Sequence, residues 1–456
     1  MRDDEERTAR SLGGRSAKII PLRRSALEPT ADRLQRLALD AGVTLTELVA
    51  TADAHGVELP PAIRRAAAAM LREPLADPVE EGLRYRASMP VTIDIVAALG
   101  TADLARHEGL VQAPFSADAL IAPSRDWLVD HGADHAAGRE SSRVGMAEAE
   151  AIRDTFSVFQ ELDTKYGGAH ARMALVQYLN SDVVPLLRKS CTDRVGRAVF
   201  GAAAELTYLA GLTAFDSGRH GLAERYFVQA LRLASEAEEH AFAGNILAAM
   251  SHLAASHGDG YEAVQLAKAG LCGAKSTGIQ SVEMRLNAML ARGHALLGES
   301  DKCAVALSKA ESALDKARPG CELSWCRFLD GAFLAGETAQ CFLALGQPEL
   351  AQRFAVESVK SSSRRTRRLV LSQIVLATSY VQMDEPEAGC SEGSKALNLI
   401  AHIKSSRSLM TLRDFASSLY HYPAISAVQE FEQLAADLLG DATWSRIRPR
   451  QLNDRR

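Results

Sequence analysis

Aromatic residues are scarce in this 456-residue chain, at 5% of the total. Sheet cores lean on rings and β-branched side chains, so the scarcity, together with abundant alanine, favours closely packed helices. Cysteine is thin as well. Cys191, Cys272, Cys303, Cys321, Cys326, Cys341 and Cys390 are odd in number, scattered and without a CxxC pair. That excludes a disulfide scaffold and a zinc-ribbon spacing, and it fits structural thiols in a reducing cytoplasm. No stretch approaches the roughly 18 apolar residues of a membrane span, so no membrane association is expected. The opening MRDDEERTARSLGGRSAK is too charged for a secretory signal. No strong net charge is present: 52 Lys and Arg face 57 Asp and Glu, a balance of −5. A bulk nucleic-acid binder is thereby excluded, and any such contact must be local. GxSxG, HExxH and GxxxxGK[ST] are all absent, so no enzyme is expected, and no catalytic residue, cofactor or metal is assigned. His131 and His135 lie one helical turn apart but sit in a glycine-containing loop without further ligands.

Residues 1–30 mix seven basic and five acidic side chains with Gly13, Gly14 and Pro21, and read as a disordered arm. Residues 31–90 read as a small helical module. Leu34, Leu37, Ala38 and Ala41 share one face before Gly42; Thr44 and Glu47 form a capping box; Pro60-Pro61 open a third helix. The spacing suits a degenerate helix-turn-helix, although the module carries seven basic and nine acidic residues. Its candidate DNA contacts are Arg64, Arg65 and Arg72 on the third helix. Such a module can also dimerise, which would match a palindromic site. Residues 91–145 form a linker region in which Val91–Ile95 suits a strand or a helix start. A basic tail occupies 441–456.

From about 146 to 440 the pattern is helical throughout. Helices are expected at Met146–Tyr166 and Ala169–Arg188, followed by a repeat. Ala210-Gly211, Gly218, Ala223, Phe227 and Ala230 have the residue types and spacing of a tetratricopeptide unit. Gly211 and Ala223 are small because two helices touch there, and Gly218 ends the first helix. Ala263, Ala304, Ala351 and Ala388 continue the frame at steps of 40, 41, 47 and 37 residues from Ala223. The chain is therefore expected to be all-α: a tetratricopeptide-like, right-handed solenoid of helical hairpins behind a small N-terminal helical module. First helices line the inner groove of such a stack. Tyr208, Asn245, His252, Arg285, Arg292 and Gln340 are the candidate partner-binding residues, with amides for an extended backbone and arginines for a carboxylate. Lys360-Ser-Ser-Ser-Arg364-Arg365-Thr-Arg367-Arg368 reads as either a solvated turn or an acidic-partner contact.

Several segments also carry a family likeness. Glu161-Leu162-Asp163, Gly167-Gly168-Ala169-His170-Ala171-Arg172, Ala203-Ala204-Glu205-Leu206-Thr207 and Ala214-Phe215-Asp216-Ser217-Gly218-Arg219-His220-Gly221-Leu222-Ala223 resemble the actinobacterial tetratricopeptide regulators of the Nsd type. Met250-Ser251-His252, Glu262-Ala263-Val264 and Arg125-Asp126-Trp127-Leu128 extend the likeness, which spans about 120–440. It implies a negative regulator of sporulation and antibiotic production, in a family that often begins with a Cro/repressor-like helix-turn-helix. The function expected is a transcriptional or developmental regulator whose repeats bind a peptide or protein and control the N-terminal module. A protein-interaction adaptor that sequesters or scaffolds another regulator, without DNA binding, is the alternative.

Overall fold

The computed structural model describes residues 78–86, 88–129, 140–317, 323–362 and 365–447. The expectations for the arm, the three-helix module with Arg64, Arg65 and Arg72, the loop with His131 and His135, and residues 448–456 lie outside them. Helices α1 (Met89–Leu104), α2 (Ile121–Val129), α3 (Met146–Tyr166) and α4 (Arg172–Tyr178) come first. Five helical hairpins follow: α5 (Asp193–Asp216) with α6 (His220–Glu236), α7 (His240–Ser256) with α8 (Gly260–Gly273), α9 (Gln280–Leu296) with α10 (Ser300–Lys316), α11 (Gly331–Ala344) with α12 (Pro348–Ser361), and α13 (Thr366–Gln382) with α14 (Pro386–Ile400). Helices α15 (Ser406–Ser418), α16 (Ser426–Leu439) and α17 (Asp441–Ile447) end the array. The described chain is an all-α solenoid, with β1 (Glu140–Arg143) and β2 (Lys189–Ser190) forming one short parallel pairing.

One turn chemistry builds every hairpin. Gly218, Gly258, Gly298 and Gly346 have positive φ, and Asp384 takes the same conformation at +63°. After each, a backbone N–H reaches five residues back: Arg219 to Ala214, Asp259 to Ala254, Glu299 to His294, Gln347 to Phe342 and Glu385 to Tyr380. This is the Schellman closure, which satisfies carbonyls that the helix end leaves open. The first helix of each pair packs on the second where side chains are small. A Cβ on Gly211 would lie 2.6 Å from the Phe227 ring, so nothing larger than hydrogen fits.

Counted from these turns, the frame differs from the sequence reading in two places. Cys303, 1% exposed, fills the small-residue position in the third hairpin, and Ala304 faces solvent. In the fifth, Gly389 is buried at that position, one residue beyond Ala388. Cysteine and alanine are close enough in size to exchange at such a contact. The turns at 218, 258, 298, 346 and 384 are spaced 40, 40, 48 and 38 residues apart. The long step arises from residues 317–330, which connect α10 to α11.

Residues 91–129 of the segment expected to be a linker are folded. Val91–Ile95 is helical within α1, and Ile95, Leu99, Leu110, Leu120 and Trp127 are buried in the main core. Residues 79–86 lie along α6, where Arg225 donates to the Val79 carbonyl (2.6 Å), Gln229 to Gly82 (2.9 Å) and Arg84 (3.2 Å), and Arg232 to Arg86 (2.7 Å). These three side chains are spaced i, i+4, i+7 and so share one helix face. Asp103 of α1 is fully buried and takes a bidentate contact from Arg172 and a hydrogen bond from the Tyr226 hydroxyl (3.0 Å).

Candidate functional site

Five of the six candidate groove residues fall into two rungs along the first helices, and Tyr208, ten residues before Gly218, lies beside one of them. His252, Arg292 and Gln340 each stand six residues before the turn residues Gly258, Gly298 and Gly346. Asn245 and Arg285 each stand thirteen before, in phase with Glu205. Three successive first helices therefore carry equivalent side chains on one strip.

The upper rung is buried. Arg285 Nη1 donates to the Tyr208 hydroxyl (3.0 Å), to the Asn245 carbonyl (3.3 Å) and to Asn245 Oδ1. Tyr208 and Arg285 belong to α5 and α9, with α7 between them. Such a contact across a whole hairpin requires the tight inner curve of a superhelix. Tyr208 is flanked by the Phe227 and Phe242 rings, at 5.7 and 5.4 Å between centroids. Residues 323–330, part of the long connection, cover this rung. Trp325 sets its edge against Phe242 (4.9 Å), and the Phe328 ring lies 5.2 Å from the Arg285 guanidinium.

The lower rung is more open. Arg292 pairs with Glu337 (3.1 Å), and His252 Nδ1 lies 3.8 Å from the same carboxylate. Burial, then Arg292, Arg407 and Arg285, hold the His252 imidazole well below its ordinary pKa and so neutral. Arg292, Leu296, Gln340, Cys341, Leu343, Ala344 and Gln382 line a cavity of about 250 Å³ between α9, α11 and α13. Leu296, Cys341, Leu343 and Ala344 give the apolar part of its lining, and Arg292, Gln340 and Gln382 the polar part. The structure thus brings Tyr208, Asn245 and Arg285 together in one buried network, and Arg292 and Gln340 together at one cavity, with His252 between them.

Sequence reasoning missed the group that closes the ring. Asp216, at the end of α5, accepts the Gly168 N–H (2.8 Å) and the Ser405 hydroxyl (2.8 Å), and it faces Arg367 (3.3 Å) and Arg407 (3.6 Å). Arg367 also forks onto Asp163 of α3, at 2.9 and 2.8 Å. The last hairpins are thereby joined to the first helices across about 200 residues of sequence. Burial by itself would raise the Asp216 pKa, but Arg367, Arg407, the Gly168 N–H and the Ser405 hydroxyl outweigh it and hold it below the aspartate range. Backbone contact completes the seam: Lys404 donates to the Tyr166 carbonyl (2.8 Å), and its own carbonyl would sit 2.6 Å from a Cβ on Gly167, whose φ is +87°. The basic run is therefore structural at Arg365, Arg367 and Arg368, which reach the Arg327 carbonyl, Asp163 with Asp216, and Asp330. Its acids sit far away in sequence, so local charge could not reveal them.

No protein-family model matches the chain, and no curated protein matches it. A solved structure described as a crystal structure of Rap protein complexed with competence and sporulation factor is similar over 66% of this chain and 100% of that chain, with 10% sequence identity and a TM-score of 0.41. Nothing is transferred from that protein at this level of likeness. Among the described residues one helix, α5, is long and apolar enough to cross a membrane, and 83% of its apolar stretch is buried inside the solenoid as a core helix.

Proposed function

We propose that the chain is a non-catalytic regulator whose repeat domain binds a peptide or protein segment on its inner surface. The observation that supports this best is the lower rung. Its Arg292 and Gln340, with Gln382 of the next hairpin, line one cavity together with the apolar Leu296, Leu343 and Ala344. An extended peptide needs this combination, because its amides require partners at regular intervals while its side chains require apolar pockets. The resemblance of residues 161–264 to the Nsd-type regulators supports a regulatory output, with residues 31–90 as the responding module and Arg64, Arg65 and Arg72 as its candidate DNA contacts.

The test is affinity capture of the tagged full chain from its native cells, with sequencing of the DNA and proteins retained. A Gln340→Ala/Gln382→Ala chain runs in parallel. Both residues line the cavity and neither is buried in the core, so their loss should abolish polypeptide capture while the melting temperature stays unchanged. Equal capture by both chains would refute the groove. Promoter fragments that elute with rising salt would support the DNA-binding output, since phosphate contacts weaken as counterions compete.

The adaptor reading rests on a separate observation. Residues 31–90 carry seven basic and nine acidic side chains, an unfavourable charge for a duplex. One stoichiometric protein without DNA would select it.

A further inference from the structure

Among the described residues, the buried arginines have acids, with one exception. Arg172 pairs with Asp103 (2.5 Å), Arg225 with Glu224 (3.0 Å) and Arg232 with Glu236 (3.2 Å). Arg285 is 5% exposed, and no carboxylate among the described residues lies within ion-pair distance of it. Its partners are a phenol, a backbone carbonyl, an amide oxygen and the face of Phe328. Two donors in this cluster are left without partners, Arg285 Nε and Asn245 Nδ2, and Asn245 is fully buried.

An uncompensated buried guanidinium is costly, and so are orphaned buried donors. Among the described residues, every other buried arginine is given an acid, and the one on the inner face is not. The fold also covers that arginine with the inserted connection that lengthens one repeat step to 48 residues. The cover is aromatic: Trp325 and Phe328 stand where an apolar ligand group would rest, against Phe242 and over Arg285.

We propose that Arg285, with Asn245 and Tyr208, is the recognition site for a carboxylate on the bound peptide, and that Trp325 and Phe328 give way to the apolar side chain beside that carboxylate. The proposal rests on the peptide-binding reading above and adds its charge chemistry. The ligand supplies the missing acid and takes up the Arg285 Nε and Asn245 Nδ2 donors. A carboxylate suits this place because the guanidinium fork offers it planar, directional bonds. The acid can be the peptide's own terminus or an Asp or Glu side chain.

The experiment uses the full chain and three synthetic hexapeptide pools. The first has free C-termini and no Asp or Glu. The second has amidated C-termini and includes Asp and Glu. The third is amidated and lacks both acids. Peptides retained through desalting are quantified by mass spectrometry. At least tenfold more of the first or second pool than of the third should be retained, and which of the two is retained identifies the source of the acid. Arg285→Gln should reduce retention to the level of the third pool, and Arg285→Lys should recover part of it. Asn245→Asp provides the second variant: an internal acid beside Arg285 should raise the melting temperature and block retention of the acidic pool. Equal retention of all three pools, or unchanged retention by Arg285→Gln, overturns the carboxylate site and leaves peptide binding intact. A lower melting temperature in Asn245→Asp with full retention overturns it too. Failure to retain any pool would refute the peptide reading itself, and the site with it.

Discussion

Asp216→Asn would remove one negative charge from the seam that closes the solenoid and would alter almost nothing else in shape. The carboxylate is 2% exposed and serves four groups: Arg367 at 3.3 Å, Arg407 at 3.6 Å, and the Gly168 N–H and Ser405 hydroxyl, each at 2.8 Å. Arg367 keeps Asp163 as a second acid, whereas Arg407 keeps His252 at 3.5 Å and the face of Phe215 as contacts and feels Asp163 and Glu337 only at longer range. Removing one member of a buried ion pair costs about 3–5 kcal/mol, because the remaining charge stays desolvated. An amide oxygen can still accept from one of the two neutral donors, which places the expected loss near 3 kcal/mol. Urea unfolding at pH 7 measures it, and amide exchange should localise the opening to α13, α15 and the end of α3. The pH dependence follows from the sign of the shift. The folded pKa lies below the unfolded one, so the contribution is present above about pH 4 and is lost as the pH falls through the folded value. The gap between the two chains should hold from pH 7 to 5 and close below pH 4. A loss under about 1 kcal/mol at pH 7, or a gap that persists through acid, would show that the seam is held by backbone contact and not by this charge.

Three further perturbations test other parts of the argument. Burial first, with Glu239 adding and Arg153 opposing, carries the Glu205 carboxyl up to about 7. Its raised folded pKa favours folding below about pH 4.5 and loses that advantage as pH rises to 7. Glu205→Gln should therefore match the parent in urea unfolding at pH 4 and exceed it by about 3 kcal/mol at pH 8. Gly211→Val should cost about 3 kcal/mol in thermal unfolding, because even its Cβ would meet the Phe227 ring at 2.6 Å. Combined with Phe227→Leu, it should cost less than the two changes added together. Gln229→Ala strips donors from the Gly82 and Arg84 carbonyls, and tryptic cleavage at Arg84 and Arg86 should accelerate while α7–α14 stay intact.

The hairpin frame was legible in the sequence because geometry dictates its residues. Two helices in contact require Gly211 and Ala223, and a left-handed helix end requires Gly218. The same logic weakens where another residue meets the requirement, as Cys303 does for alanine and Asp384 for glycine. The inner-face strip was legible as a period, but its contents depend on curvature that no period encodes. Tight closure puts Tyr208 and Arg285 in hydrogen-bond contact, so they bond to one another. Residues 91–129 looked like a linker because their core contacts, such as Ile95, Leu99 and Trp127 and the Asp103–Arg172 pair, are made with helices far along the chain, which local composition does not record. Arg367 looked like part of a solvated turn because Asp163 lies 204 residues away.

The inner surface shows how selective the unpaired charge is. On the lower rung and the closing seam, Arg292, Arg367 and Arg407 face Glu337, Asp163 and Asp216, three charges of each sign. Such a set is self-sufficient, and an incoming acid would have to displace one already held in good geometry. Arg285, on the upper rung, has no such competitor among the described residues, so the proposed ligand carboxylate would gain its pairing without breaking another pair. Its cost is removal of the Phe328 face and of Trp325 from Phe242, which are dispersion and cation–π contacts of about 1 kcal/mol each. A charge-assisted bond to a desolvated guanidinium is worth more than either. A ligand without an acid must displace the same rings for no electrostatic return. Under the proposed carboxylate site, the inserted connection would act as a filter: every ligand would have to displace the two rings, and only one carrying an acid would offset that loss.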